Sequence, residues 1–197
     1  MNKPNEIPIL TARLLQQTSG QLFTDSASRG RYATDASIYQ TMPKAVFIPK
    51  TADDVVAAIG IAAELSVPIL ARGGGTSQCG QTTGAALVID NSPHFRKLLH
   101  LDLEEKTVEV EPGMVLDHLN QLLKPHQLWF PVDVSTSGQA TIGGMAGNNS
   151  CGSRSIQYGN MVHNVLGIDA WLADGTLAQF GKIGHAQGKA LELGNFV

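Results

Sequence analysis

The chain has 197 residues, 43% of them hydrophobic and 16% charged, and its 14 Lys+Arg against 17 Asp+Glu leave a formal charge of -3. A sequence of that length buries roughly 70% of its unfolded surface, enough for one domain or two tightly joined lobes. It lacks a basic run interleaved with aromatics, which speaks against a nucleic-acid partner, and its longest apolar run, residues 55–63, is too short to span a bilayer.

Residues 7–18 are expected to form a short leading helix. Residues 24–37, rich in Ser, Thr, Asp and Arg, read as irregular, so organised structure is expected to start near residue 43. Ala45-Val46-Phe47-Ile48 then reads as a strand stopped by Pro49. Thr51-Ala52-Asp53-Asp54 offers a hydroxyl N-cap with acids in the first turn, and Val55, Ile59 and Ala62 continue at helical spacing until Pro68. Ile69-Leu70-Ala71 resumes as a strand, completing a βαβ unit whose strands run parallel, and Leu87-Val88-Ile89 supplies a third. From residue 98 the pattern is antiparallel. Leu99, Leu101 and Leu103 alternate with polar residues, Glu104-Glu105-Lys106 turns, and Val108 and Val110 alternate again. Val115, Leu116, Leu119, Leu122 and Leu123 trace one face of a helix closed by Pro125, and residues 165–172 and 176–180 flank the turn dipeptide Asp174-Gly175. The expected class is α+β in two lobes: a parallel βαβ lobe over 43–93 and a mainly antiparallel lobe with inserted helices over 94–183, preceded by an arm over 1–42.

Ten of the 21 glycines fall in two windows, residues 73–84 and 138–152. The first follows a parallel strand, where open α/β sheets place ligands. Glycine permits positive φ and close approach, and successive amide N–H groups form an anion-holding concavity, so the pair of windows points to a ligand with a diphosphate. Rival motifs fail on particular residues. G-x-G-x-x-G counted from Gly73 and Gly75 reaches Gln78, and G-x-x-x-x-G-K-[ST] counted from Gly75 meets Gln81 where the lysine belongs. Arg72 can pair with phosphate or hold a neighbouring carboxylate, and Thr76 and Ser77 can donate hydroxyls or simply turn the chain. Asn148 and Asn149 can grip a heterocycle edge or cap a loop. Cys79 and Cys151 form no CxxC pair or disulfide framework, and Cys151 reads as a small loop residue rather than a thioether site. The six histidines show no spacing of metal type.

With Arg72-Gly73-Gly74-Gly75-Thr76-Ser77 and Gly80, then Phe130-Pro131-Val132-Asp133, Thr141-Ile142-Gly143-Gly144, Asn149, Gly152, Tyr158-Gly159 and Val165-Leu166-Gly167, the chain resembles the FAD-linked oxidase family from about Tyr32 to Phe180. The flavin module of that family is of the p-cresol methylhydroxylase type shared with vanillyl-alcohol oxidase. Its D-lactate, glycolate and D-2-hydroxyglutarate dehydrogenases are the relatives that this chain most resembles. The resemblance implies that Gly73 to Ser77, with Arg72 and Gly80, hold the FAD pyrophosphate. Pro131, Thr141, Gly143, Gly144 and Asn149 would line the way to the isoalloxazine, Ile168 would meet the adenine end, and Asp133, Asn148, Gly152, Tyr158 and Gly159 are further cofactor-binding candidates. Thr76 stands where members that attach FAD covalently often carry histidine, so FAD is expected to bind without a covalent bond. At Cys151 relatives commonly have glycine, which puts the backbone of that turn in question.

The resemblance further implies a hydride transferred from the α-carbon of a D-2-hydroxy acid to flavin N5, with a quinone, an electron-transfer flavoprotein or an iron–sulfur module as downstream acceptor. Met1 to Glu6 lead into no signal-type apolar core, so the expected location is the cytoplasm, with peripheral attachment to the inner membrane through the acceptor as an option. The substrate-binding region of the relatives follows the flavin module, and residues 184–197 read as its beginning. Catalytic residues are therefore expected outside this chain, which would be the FAD-binding portion of a longer enzyme. A non-catalytic flavin module and an enolpyruvyl-UDP-sugar reductase are the alternatives, and the Gly-Gly-Gly-Thr-Ser loop argues against the second.

Overall fold

A computed structural model of the chain describes residues 6–181. It begins with helix α1 (Glu6–Gln17), strand β1 (Gln21–Phe23) and the short helix α2 (Ser26–Gly30). The βαβ unit follows as β2 (Ala45–Ile48), α3 (Ala52–Glu64) and β3 (Ile69–Arg72), and then β4 (Leu87–Asp90). The four strands form one sheet in the order β1-β2-β4-β3. β2 and β3 are parallel, as the pattern predicts, but they are not neighbours, because β4 runs between them and pairs with both. Every residue of β2 and β4 is buried, which is what central strands of a parallel sheet covered on both faces require.

Organised structure begins well before residue 43. Leu10 and Leu14, one helical turn apart on α1, are fully buried in a core with Val55, Ala58, Ile59 and Ala62 of α3 and with Phe47, Leu87 and Ile89 of the sheet. Burying each leucine stabilises the fold by about 2 kcal/mol. Leucines at helical spacing show the helix but not what it packs on, and β1 is only three residues long.

Thr51 caps α3 as expected, its hydroxyl accepting from Asp54 N–H at 3.2 Å. Asp54 does more than close the capping box. It is 4% exposed, and its carboxylate accepts from the N–H groups of Lys50 (2.9 Å) and Thr51 (3.2 Å) and from both the N–H and the hydroxyl of Ser19 (2.8 and 3.0 Å). One ion thus joins the segment after α1 to the start of α3.

The second half contains β5 (Leu98–Asp102), β6 (Thr107–Val110), α4 (Leu116–Leu123), α5 (Ile142–Gly147), α6 (Ser155–Tyr158), α7 (Met161–Asn164), β7 (Gly167–Trp171) and β8 (Leu177–Gly181). The strands pair antiparallel, as two separate ribbons, β5-β6 and β7-β8. A register irregularity between Leu98 and His100 breaks the expected alternation. Leu98 and Leu101 pack inward against Met114, Leu119 and Leu123, while Leu99 and Leu103 are each about half exposed. On α4 the buried stripe is Leu116, Leu119 and Leu123, with Leu122 outside it and Val115 serving as N-cap. Gly175 adopts φ +83° in the β7-β8 turn, as expected of Asp174-Gly175. Trp171 and Phe95 pack against the first core, so the two halves share a hydrophobic seam. No helix among the described residues is long and apolar enough to cross a membrane.

Burial works to raise the Asp54 carboxyl, but the hydrogen bonds from Ser19, Lys50 and Thr51 outweigh it and hold its pKa below the usual carboxylate value. Asp54→Ala, which strands three backbone N–H groups, is expected to lower stability by about 3 kcal/mol at neutral pH in urea unfolding. The stabilisation from a depressed carboxylate is complete above the unfolded-state pKa of about 3.9 and is lost as pH falls through the lower folded value, so the difference between wild type and variant shrinks in that acid range.

Candidate functional site

β3 ends at Arg72 and the first glycine window starts there. The guanidinium of Arg72 is turned back onto the protein. It donates to the carbonyls of Thr34 (2.9 Å), Thr82 (3.1 Å) and Tyr32 (3.3 Å), and it lies 5.1 Å from the centre of the Tyr32 ring. In place of a phosphate or a neighbouring carboxylate, this side chain has three carbonyls as partners. Gly75 sits under the guanidinium with φ +65°, and a Cβ there would come within 2.9 Å of Arg72 Cζ. Both backbone conformation and space therefore demand glycine at this position. The Tyr32 hydroxyl donates to Asp90 at 2.8 Å, and burial together with that carboxylate pushes the phenol up to about 12, so Tyr32 stays protonated at neutral pH.

The second window meets the first. Thr141 is buried and caps α5, its hydroxyl accepting from Gly144 N–H at 3.3 Å. A side chain on Gly73 would collide with the Thr141 hydroxyl, and one on Gly74 would collide with the carbonyl of Gln139. Gln81 crosses between the windows, its amide donating to Asn148 Oδ1 at 2.8 Å, while its own oxygen accepts from the Ser77 hydroxyl.

Backbone donors differ sharply between the two windows. Among the described residues no acceptor takes the N–H of Gly73, Gly74, Gly75, Thr76, Ser77 or Gln78, whereas Ile142 donates to Met114, Gly143 to Pro112 at 2.8 Å, Gly144 to Thr141 and Met145 to Thr141. A run of six uncommitted amides beside a backbone stripped of side chains is the donor set that a diphosphate requires. The first turn of α5 offers shape rather than donors.

The remaining sequence-derived candidates serve the second loop itself. Asn148 caps α5 and donates to Ser150 Oγ at 3.2 Å. Asn149 takes the left-handed backbone position, φ +45°, and accepts from Val162 N–H at 3.0 Å. This resolves the doubt over Cys151, because the left-handed residue of the turn is Asn149 and Cys151 needs no special conformation. Asp133 accepts from the Ser153 hydroxyl (2.7 Å) and Arg154 N–H (3.0 Å), bonds that hold its carboxyl below the usual range, and its carbonyl lies where a side chain on Gly152 would be. Tyr158 stands edge-on to Trp129 at 5.2 Å, and Gly159, at φ +78°, follows it. Pro131 precedes the buried Val132, and Gly80, φ +76°, lies beside the Tyr39 ring. Thr76 makes no described hydrogen bond. Ile168 pairs with Phe180 in the β7-β8 ribbon, and no described hydrogen bond ties it to either window. Sequence reasoning missed Gln81, Gln139, Asp35 and Tyr39, which act through tertiary contact, although Gln81 stood inside the first window. No group of histidine, cysteine and acidic side chains among the described residues could hold a metal ion.

Comparison with known proteins bears directly on this arrangement. The FAD binding domain family matches residues 43–181. D-2-hydroxyglutarate dehydrogenase of Haemophilus influenzae is 39% identical over 165 residues, covering 82% of this chain and 16% of the relative. Glycolate oxidase subunit GlcD of Bacillus subtilis is 35% identical, covering 86% of this chain and 37% of the relative. Among solved structures, BBE-like 1 of Physcomitrella patens superposes with a TM-score of 0.73 at 22% identity, over 87% of this chain and 37% of that one. The chain thus spans about a sixth of the dehydrogenases it matches. The match over residues 43–181, which takes in both glycine windows, makes this chain a member of the FAD binding domain family, of the p-cresol methylhydroxylase type, with FAD as its cofactor.

Proposed function

We propose that the chain is the FAD-binding portion of a flavin-dependent dehydrogenase or oxidase that acts on a D-2-hydroxy acid of the lactate, glycolate or 2-hydroxyglutarate type. The observation that carries this reading is the run of uncommitted amides from Gly73 to Gln78, locked against Thr141 and Gln139. The amides would hold the pyrophosphate, with Gly80 closing the loop and Thr76 and Ser77 beside it. Arg72 would act from behind, by fixing the loop's entry and exit, since three of its five N–H donors are already engaged by backbone carbonyls. Thr141, Gly143 and Gly144 would form the wall of the cleft, with Pro131, Asp133, Asn148, Asn149, Gly152, Tyr158 and Gly159 shaping the loop towards the flavin ring and Ile168 facing the adenine end. When bound, FAD supplies a hydride acceptor at N5 for the substrate α-carbon. This chain's residues bind and orient; the groups that would grip the substrate carboxylate and move its proton belong to the remainder of such an enzyme. Its electrons would leave through a quinone, an electron-transfer flavoprotein or an iron–sulfur module, with the enzyme in the cytoplasm or peripheral to the inner membrane.

FAD added to the purified chain is expected to give a visible flavin spectrum, and acid precipitation to leave the yellow colour in the supernatant, since Thr76 stands where members that attach FAD covalently often carry histidine. Colour retained in the pellet would refute the non-covalent reading, and calorimetry without any FAD affinity would refute the site. Gly74→Val, which forces a side chain into the Gln139 carbonyl, is expected to weaken FAD binding at least about tenfold in the same titration, because the windows must separate. In an enzyme carrying this module, D-2-hydroxy acids are expected to bleach the flavin anaerobically; bleaching by NADPH alone would favour the reductase alternative.

A further inference from the structure

Residues 33–41 precede the stretch that matches the family, and they fold on themselves: Thr41 N–H donates to the Ala33 carbonyl at 2.9 Å and Thr34 bridges Gln40 antiparallel. This small hairpin seats on the first glycine window at both of its ends. At the entry, Arg72 ties the carbonyls of Tyr32 and Thr34 to its own strand end. At the exit, the Asp35 carboxylate accepts from the Thr82 hydroxyl (3.1 Å) and N–H (3.4 Å), and is itself aimed by the N–H of Ser37 at 2.9 Å. Between them the Tyr39 ring fills the space beside Gly80, 2.6 Å from where a Cβ would stand. Burial tends to raise the Asp35 carboxyl, but hydrogen bonds from Ser37 and Thr82 prevail and hold it low, so the acceptor is ionised at neutral pH.

The six amides of the window have no partner among the described residues to aim them, so their direction is set by what grips the loop's ends. Resting on the FAD reading above, we propose that the hairpin 33–41 is a positioning element for the cofactor, and that Asp35 and Thr82 are positioning residues that preorganise the amide run for the pyrophosphate. Neither residue touches FAD. Their contribution is to affinity, by removing the ordering cost that a loose loop would incur on binding.

The test uses the full chain and three variants: Thr82→Val, which keeps the shape and removes the hydroxyl, Thr82→Ser, which restores it, and Asp35→Ala. Two quantities are read: FAD affinity by calorimetry, and amide order parameters of residues 73–80 by NMR without ligand. Thr82→Val and Asp35→Ala are expected to weaken FAD binding about tenfold. Order parameters in the window are expected to fall from about 0.85 to below about 0.6. Thr82→Ser should stay within about twofold of wild type, a rescue that a purely structural role for the threonine methyl would not produce. Wild-type binding of FAD with unchanged affinity and order in both Thr82→Val and Asp35→Ala would overturn the hairpin's role alone. No affinity in the wild type would overturn the FAD reading and this inference together. Thr82→Val keeps the test decisive if Asp35→Ala does not fold.

Discussion

Gly73 and Gly74 lie against Thr141 and the carbonyl of Gln139 with no room for a side chain, and the site depends on that contact. Gly73 and Thr141, and Gly74 and Gln139, each pair more than sixty positions apart in sequence, approach this closely only because the first loop presents bare backbone. Among the described residues no acceptor takes the N–H groups from Gly73 to Gln78. The close approach follows from the absence of Cβ atoms.

The contact is held in place by the core. β3 carries the first window, and β3 is aligned by pairing with the wholly buried β4, on whose other side lies β2. Helix α3 covers the sheet, Asp54 fastens α1 to it, and Leu10 and Leu14 complete the apolar layer. On the other side, Met114 and Leu116 begin α4 and accept or donate across to Ile142 and Ala140, which fixes the start of α5 and with it Thr141. Trp171 and Phe95, from the second half of the chain, pack against the first core. A packed interior transmits little slack, so the two windows are placed by structure that never touches the ligand.

Polar side chains near the cleft fall into an unexpected pattern. Arg72, Asp133 and Asn149, each a candidate for ligand contact by residue type, are engaged with backbone carbonyls or N–H groups of their own or neighbouring loops. The cleft is therefore built of main chain held in place by side chains. A diphosphate is suited to such a surface, because its charge is met by several weak dipoles rather than one strong ion.

Local signals in the chain were enough for the leading helix, the strand at residues 45–48, the Thr51 cap, the Asp174-Gly175 turn and the two glycine windows, because propensity, capping and glycine density act within a few residues. The windows, legible as sequence, are also what point to a ligand with a diphosphate. What only the tertiary structure decided were the insertion of β4 between β2 and β3, the burial of α1, the register irregularity that exposes Leu99, and the partners of Arg72 and Asp35. Each of these depends on groups far apart in the chain: a strand's neighbours, a helix's docking face and a guanidinium's acceptors are chosen by packing and hydrogen-bond satisfaction across the whole molecule, which no window of local sequence contains.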